Sequence, residues 1–203
     1  VERHVIKIGG GLMMQVPPII NALRDAGVNA LIVPGGGIFA DIVRLIDSKF
    51  LLSPSISHWM AVAAMEQYGY FLSDVGGLKT TKTPRFDGLF VLLPYEFLRG
   101  GDIELPDQSW ATTSDTISAV IAHKWNAKLY KVTDVDGVFV DGKLMKVVDA
   151  STLLSRKTCI DDNLPHFLIH KKMDCVVVNG NFPERVVKSI KSGEVEGTLI
   201  RGR

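Results

Sequence analysis

A lysine two residues ahead of a run of glycines, at the end of an apolar stretch, is a combination that could hold and move a phosphate. The chain opens on such a stretch: "HVIKI" carries Lys7 and gives way to Gly9, Gly10 and Gly11. Glycine accepts positive φ and lets a ligand approach the backbone. Successive N–H groups at a strand end or helix start form a cradle for anionic oxygens. Beside such a cradle an ammonium is a compact point charge able to bridge phosphate oxygens and to stabilise a phosphoryl group in transit. A second loop, "LIVPGGGIFADIVR", sets Gly35, Gly36 and Gly37 after another apolar run. Either loop alone equally describes an ordinary strand-to-helix turn, and a strand lysine can snorkel to solvent. Two such loops in one small chain favour phosphate binding.

Better-known phosphate motifs do not fit. Nothing matches the Walker pattern, in which two glycines four residues apart precede Lys and Ser/Thr. Gly35–Ala40 satisfies the dinucleotide pattern G-x-G-x-x-A, but that pattern expects an acidic residue on the next strand, ~20 positions on. The nearest carboxylate there, Glu66, lies inside a helical pattern, which disfavours a Rossmann oxidoreductase.

The elements that must position the loops alternate along the chain. "HVIKI", "NALIV", "AKLYKV" and "DCVVV" read as strands, and "QVPPIINALRDAG", "GGIFADIVRLIDSKF", "SDTISAVIAHKW" and "FPERVVKSIKSG" as helices between or after them. Such alternation argues for a mostly parallel sheet covered on both faces. Pro17 and Pro18 fit a first helical turn, and "SISHWMAVAAMEQYGYFLSD" reads as a buried helix capped near Ser55 or Ser57. "GGLKTTKTPRFDG" and "LRGGDIELPDQSWAT" read as irregular loops, of a length that is often functional. The 203 residues fit a single α/β domain. A net charge of +1 and 22% charged residues exclude an electrostatic nucleic-acid face. No apolar run is long enough to span a membrane and no signal pattern is present, so a cytoplasmic location is expected. Cys159 and Cys175 are too few and too late for a disulfide framework and read as small core residues. His166 and His170, four apart, match no common zinc spacing, so no metal ligands are assigned.

Beyond the loops, the ordered segments "KIGGG" (7–11), "VPGGGIFADIVR" (33–44), "TTSDTISAVIA" (112–122), "KVTDVDGVF" (131–139) and "VVVNGNFPERVVKSIKSGEVEGTLI" (176–200) resemble the amino acid kinase superfamily over nearly the whole chain. The resemblance implies a three-layer αβα sandwich that binds ATP with Mg2+ and passes the γ-phosphoryl group directly to a second substrate. It implies that Lys7 stabilises the transferring group and that Asp115 organises the catalytic lysines. Gly9, Gly10 and Gly11 would surround the ATP phosphates, and Gly35, Gly36 and Gly37 would face the acceptor. Thr133, Asp134, Gly137, Val138 and Phe139 would hold the adenosine end. It also implies a homo-oligomer. One departure stands out: many members carry a second lysine in a glycine-rich segment after the adenosine loop. The equivalent "CIDDNLPHFLIHKKMD" has neither, leaving Lys143 as a candidate replacement.

For the acceptor, His58 stands where the uridylate kinase branch places a ribose-binding aspartate, which argues against UMP. "SHWMAVAAMEQYGYFL" and "DQSWATTSD" instead resemble a small archaeal-type branch of methanofuran biosynthesis, which turns an aminomethylfuranyl-methyl phosphate into its diphosphate. In that reading Arg44, Thr113 and Ser114 receive the acceptor phosphate with the second glycine loop. Trp59 and Trp110 would pack on its furan ring, and His58 is a further expected substrate-binding residue. Alternatives are a family member making an acyl phosphate, a uridylate kinase-like enzyme, and a nucleotide-storage protein without catalysis.

Overall fold

The computed structural model describes residues 2–101 and 103–203. Among the described residues there are ten strands: β1 Arg3–Ile8, β2 Ala30–Pro34, β3 Lys79–Thr81, β4 Leu89–Leu92, β5 Ala127–Thr133, β6 Phe139–Val140, β7 Lys143–Leu144, β8 Val147–Asp149, β9 Cys175–Asn179 and β10 Gly197–Arg201. The α-helices are α1 Val16–Asp25, α2 Gly37–Phe50, α3 Pro54–Gly76, α4 Pro94–Arg99, α5 Ser114–Lys124, α6 Asn163–Lys171 and α7 Pro183–Lys191. Eight strands form one sheet in the order β3-β4-β2-β1-β5-β9-β10-β8, and β6 and β7 form a separate hairpin. Every pairing in the large sheet is parallel except β9 with β10.

The period-2 alternation of β1 divides its side chains between two cores. Val5 joins Leu31, Val33, Leu129 and Val177 beneath α5 and α6, whereas Ile6 and Ile8 join Ile32, Tyr130 and Val132 beneath α1 and α7. α3 serves both, with Val62 and Met65 in the first core and Tyr68 and Leu72 in the second. Gly69 lets it pass close to the ends of β2 and β4, since a side chain there would come within 3.3 Å of the Leu92 carbonyl and the Pro34 ring. The result is the expected sandwich of helices on both faces of a mostly parallel sheet. No helix of the described residues is long and apolar enough to cross a membrane.

Three expectations change in detail. α3 begins one residue before the expected span, with Pro54 in its first turn and Ser53 at its cap position. The stretch expected to be irregular around residue 80 contains β3, an edge strand too short and polar to show alternation. Of the cysteines, Cys175 is buried while Cys159 is only partly so.

Candidate active site

β1 lies between β2 and β5, so the chain leaves the sheet in opposite directions on its two sides and a crevice opens at the carboxyl ends of these strands. Both glycine runs lie in that crevice, and they touch. A side chain on Gly10 would come within 2.6 Å of the Gly37 nitrogen, and one on Gly35 within 3.3 Å of the Gly10 nitrogen. Gly37 also takes φ +53, a left-handed value. Hydrogen bonds pin the turns: Gly9 N–H donates to the Val132 carbonyl (2.9 Å), Gly35 N–H to Ile8 (2.8 Å), and the Tyr68 hydroxyl to the Gly9 carbonyl (3.1 Å).

Strand register then supplies the charges. Lys7 and Lys131 are direct partners across the parallel β1–β5 pair, so both point to the α5 face. There Asp115, in the first turn of α5, meets Lys7 Nζ at 3.0 Å through Oδ1 and Lys131 Nζ at 2.5 Å through Oδ2. All three are at least nine-tenths buried. Burial alone would raise the Asp115 carboxyl, but the ammoniums of Lys131 and Lys7 together hold it well below the usual carboxylate range. Burial lowers Lys7, only partly opposed by Asp115 and reinforced by the nearby charge of Lys131. For Lys131 burial acts in the same sense, but the close carboxylate outweighs it and the group is raised.

Asp161 completes the floor and serves two helices. Its Oδ2 accepts from the N–H groups of Thr113 (2.9 Å) and Thr116 (3.0 Å) and from the Thr113 hydroxyl (2.8 Å) at the start of α5. Its Oδ1 accepts from the Thr116 hydroxyl (2.5 Å) and from Leu164 N–H (3.0 Å) at the start of α6. A carboxylate at two helix N-termini satisfies donors that would otherwise be orphaned. The Asp161 N–H in turn donates to Asp115 Oδ2 at 3.2 Å.

The open cleft above has a volume of about 700 Å³. Of the residues expected from the sequence, Lys7, Gly10, Gly11, Gly36, Gly37, Arg44, Trp110, Thr113, Ser114 and Asp115 line it. Arg44 stands at its mouth, paired with Asp41 at 2.9 Å and seated over the Trp110 ring at 4.8 Å, while Trp110 Nε1–H donates to Asp47 (2.7 Å). His58 lines a smaller recess beside the cleft.

Other expected residues are placed differently. Trp59 faces α4, edge-on to Tyr95 at 5.9 Å and under Arg99, because its position on α3 turns it away from the cleft. Val138 is wholly buried in the core, its N–H donating to Thr198 Oγ1 (2.8 Å) and its carbonyl accepting from Met145 N–H (2.9 Å). Thr113 gives its hydroxyl to Asp161, so it is not a spare donor for a phosphate. Gly9 and Gly35 shape the turns without lining the cleft. Asp134 lies against the first glycine loop, where a side chain on Gly11 would come within 2.8 Å of its carboxyl carbon. Thr133 and Gly137 build the same neighbouring loop, and Phe139 is about half exposed beside it.

Sequence reasoning missed Lys131 and Asp161. The signal for Lys131 was present: "VIKIGGG" and "LYKVTD" carry a lysine at equivalent strand positions. Lys143, the candidate for the missing cation, is exposed on the β6–β7 hairpin. Cys159, expected in the core, lines the cleft.

Residues 91–179 match the model of the amino acid kinase family. Over 98% of its length the chain is 35% identical to the [5-(aminomethyl)furan-3-yl]methyl phosphate kinase of Methanocaldococcus jannaschii, itself covered to 98%. The fold resembles the crystal structure of UMP kinase from Bacillus anthracis (TM-score 0.75, 17% identity, covering 99% of this chain and 96% of that one). It also resembles uridylate kinase from Archaeoglobus fulgidus (TM-score 0.70, 17% identity, covering 98% and 100%).

Proposed function

Because the chain belongs to the amino acid kinase family, and so is a phosphotransferase, we propose that it moves the γ-phosphoryl group of ATP onto the phosphate of a small aminomethylfuran phosphate, forming a diphosphate and ADP. The observation that carries this reading is the convergence of Lys7, Lys131 and Asp115 beneath two glycine turns in contact. Phosphoryl transfer asks mainly for positioning and for neutralisation of developing charge. A Lys7–Asp115 pair alone would be electrically neutral. With Lys131 behind it the triad carries one net positive charge, and the neighbouring Asp161 carboxylate is taken up by the donors at the starts of α5 and α6, so Lys7 can attract phosphoryl oxygens.

In this reading the first glycine loop and Lys7 hold the ATP phosphates, with the loop of Thr133, Asp134 and Phe139 toward the nucleoside. The second loop, Ser114 and Arg44 hold the acceptor phosphate. One of its oxygens attacks the γ-phosphorus while the bond to the bridging oxygen of ADP breaks. Magnesium suits the site, since the Asp41 and Asp162 carboxylates in the cleft wall are oxygen donors of the kind it takes, mostly through water. When bound it would neutralise phosphate charge. The absence of the family's second lysine leaves a storage role as the alternative; Lys131 lies beneath the cleft rather than in its wall and offsets the charge of Asp115.

The reading includes self-association. Ile38, Ile42 and Leu45 form an exposed apolar stripe along α2, and the charges of that helix (Asp41, Arg44, Asp47, Lys49) balance, so an identical helix would not be repelled.

The test is to supply MgATP and [5-(aminomethyl)furan-3-yl]methyl phosphate and to follow ADP release together with the phosphorus NMR signals of a diphosphate ester. Stoichiometric appearance of both is expected. ATP binding without turnover of this acceptor sinks the proposal, and turnover of a carboxylate or carbamate acceptor in its place, with the product trapped by hydroxylamine, would mark a kinase that makes an acyl phosphate.

A further inference from the structure

Beside the cleft lies a recess of about 50 Å³, room for a group of two or three heavy atoms and too small for a ring. It shares Gly36, Arg44, Trp110 and Ser114 with the cleft wall, so a ligand seated in the cleft can reach into it. His58 forms part of its lining and is 2% exposed. His58 Nδ1 lies 3.3 Å from the Ser109 carbonyl, and Nε2 has no hydrogen-bond partner. A neutral imidazole whose Nδ1–H donates to Ser109 presents a bare lone pair at Nε2. A buried acceptor left without a donor costs folding stability, and such costs persist where function uses the group.

The surroundings say what kind of donor is missing. Ala61, Val62, Met65 and Ile117 are apolar. The Thr112 hydroxyl accepts from Asn163 Nδ2 (2.9 Å) and makes no hydrogen bond to His58 Nε2. The ring faces two backbone carbonyls, Ser109 and, less closely, Thr112, and the carboxylate of Asp107 adds negative potential around it. Burial nevertheless keeps the proton affinity of His58 below its ordinary value, so the ring stays an acceptor. The recess thus offers acceptors and an aromatic wall in Trp110, and the Arg44 guanidinium, which lies over that ring, lines it as well. An ammonium, with three donors and no acceptor, is the complement.

We propose that this recess is a recognition pocket for a primary ammonium group on the acceptor, which donates a hydrogen bond to His58 Nε2. The assignment rests on the acceptor reading above and adds the residue that selects the amine end of the molecule, across the shared wall of Gly36, Arg44 and Ser114 from the acceptor phosphate.

Two acceptors and two variants test it: the aminomethylfuran phosphate, its analogue with methyl in place of aminomethyl, His58→Leu and His58→Gln. The native chain should prefer the amine by about 100-fold or more in kcat/KM, since a site built around a hydrogen bond rejects an analogue lacking it. His58→Leu should lower that preference at least about tenfold, chiefly through the acceptor KM, and His58→Gln, whose amide oxygen can replace the lone pair, should recover part of it. An undiminished preference in His58→Leu, or an equal loss with both acceptors, overturns the assignment. Failure of the native chain to phosphorylate either acceptor would instead defeat the functional reading. The pocket would then be judged by 15N NMR of the native imidazoles with furfurylamine as probe. A shift of the His58 Nε2 resonance that 2-methylfuran does not cause supports it, and no shift refutes it.

Discussion

Lys7 and Lys131 stand side by side on neighbouring strands and share one carboxylate, yet the environment shifts their proton affinities in opposite directions. Lys131 holds Asp115 at the shorter distance and keeps its proton firmly. Lys7, more weakly paired, is the group that titrates first as pH rises. The kcat/KM for ATP should therefore fall on the alkaline side at a pH below 10.5, the ordinary lysine value. Lys131→Met should reduce kcat by about 100-fold, in the range found for loss of one preorganised charge donor. Because the charge of Lys131 depresses Lys7, the same variant should also move the alkaline limb to higher pH, a displacement that a loss of packing alone would not produce. A pH–rate profile of the two proteins checks both statements. Asp115 has the opposite linkage. Its folded value lies below the ordinary 3.8, so it contributes stability above that pH and loses it as the solution is acidified through the folded value. Acid unfolding followed by circular dichroism should begin at higher pH in Asp115→Asn.

At the scale of elements, the site depends on how closely turns and helix ends approach one another. Gly10→Ala would push a methyl group into the backbone of Gly37, and neither turn can retreat, because each is tied to a strand by a hydrogen bond. ATP affinity and activity should collapse together, measurable by titration calorimetry and turnover. Asp161 links the starts of α5 and α6. Asp161→Ala should lower stability by about 2–4 kcal/mol, the combined loss of two helix caps and their buried hydrogen bonds. That corresponds to a melting temperature lower by roughly 4–16 °C for a chain of this size. Scanning calorimetry checks it, and a loss under about 1 kcal/mol would contradict the capping role. The Asp was visible in "CIDDNLPHF", but its role was not, because its partners in α5 lie far away in sequence.

The whole molecule is an open sheet whose order reverses around β1, and that reversal places the crevice. An apolar stripe is exposed along α2 at Ile38, Ile42 and Leu45, so Ile42→Glu should convert a self-associated protein into single chains in light scattering. A native protein that is already monomeric would remove self-association from the reading. Alternating apolar and helical segments were enough to read the layered α/β fold, because burial on both faces of a parallel sheet demands that pattern of every strand. The glycine runs and Lys7 were readable for a similar reason: each is a local requirement of turn geometry or charge. Register and helix docking are not local. The partnership of Lys7 with Lys131, the carboxylate between them and the bare nitrogen of His58 exist only once β1 and β5 have paired and α3 and α5 have packed. The amino-acid order alone determined which segments could cradle a phosphate, and tertiary pairing decided which buried charges stand beneath it.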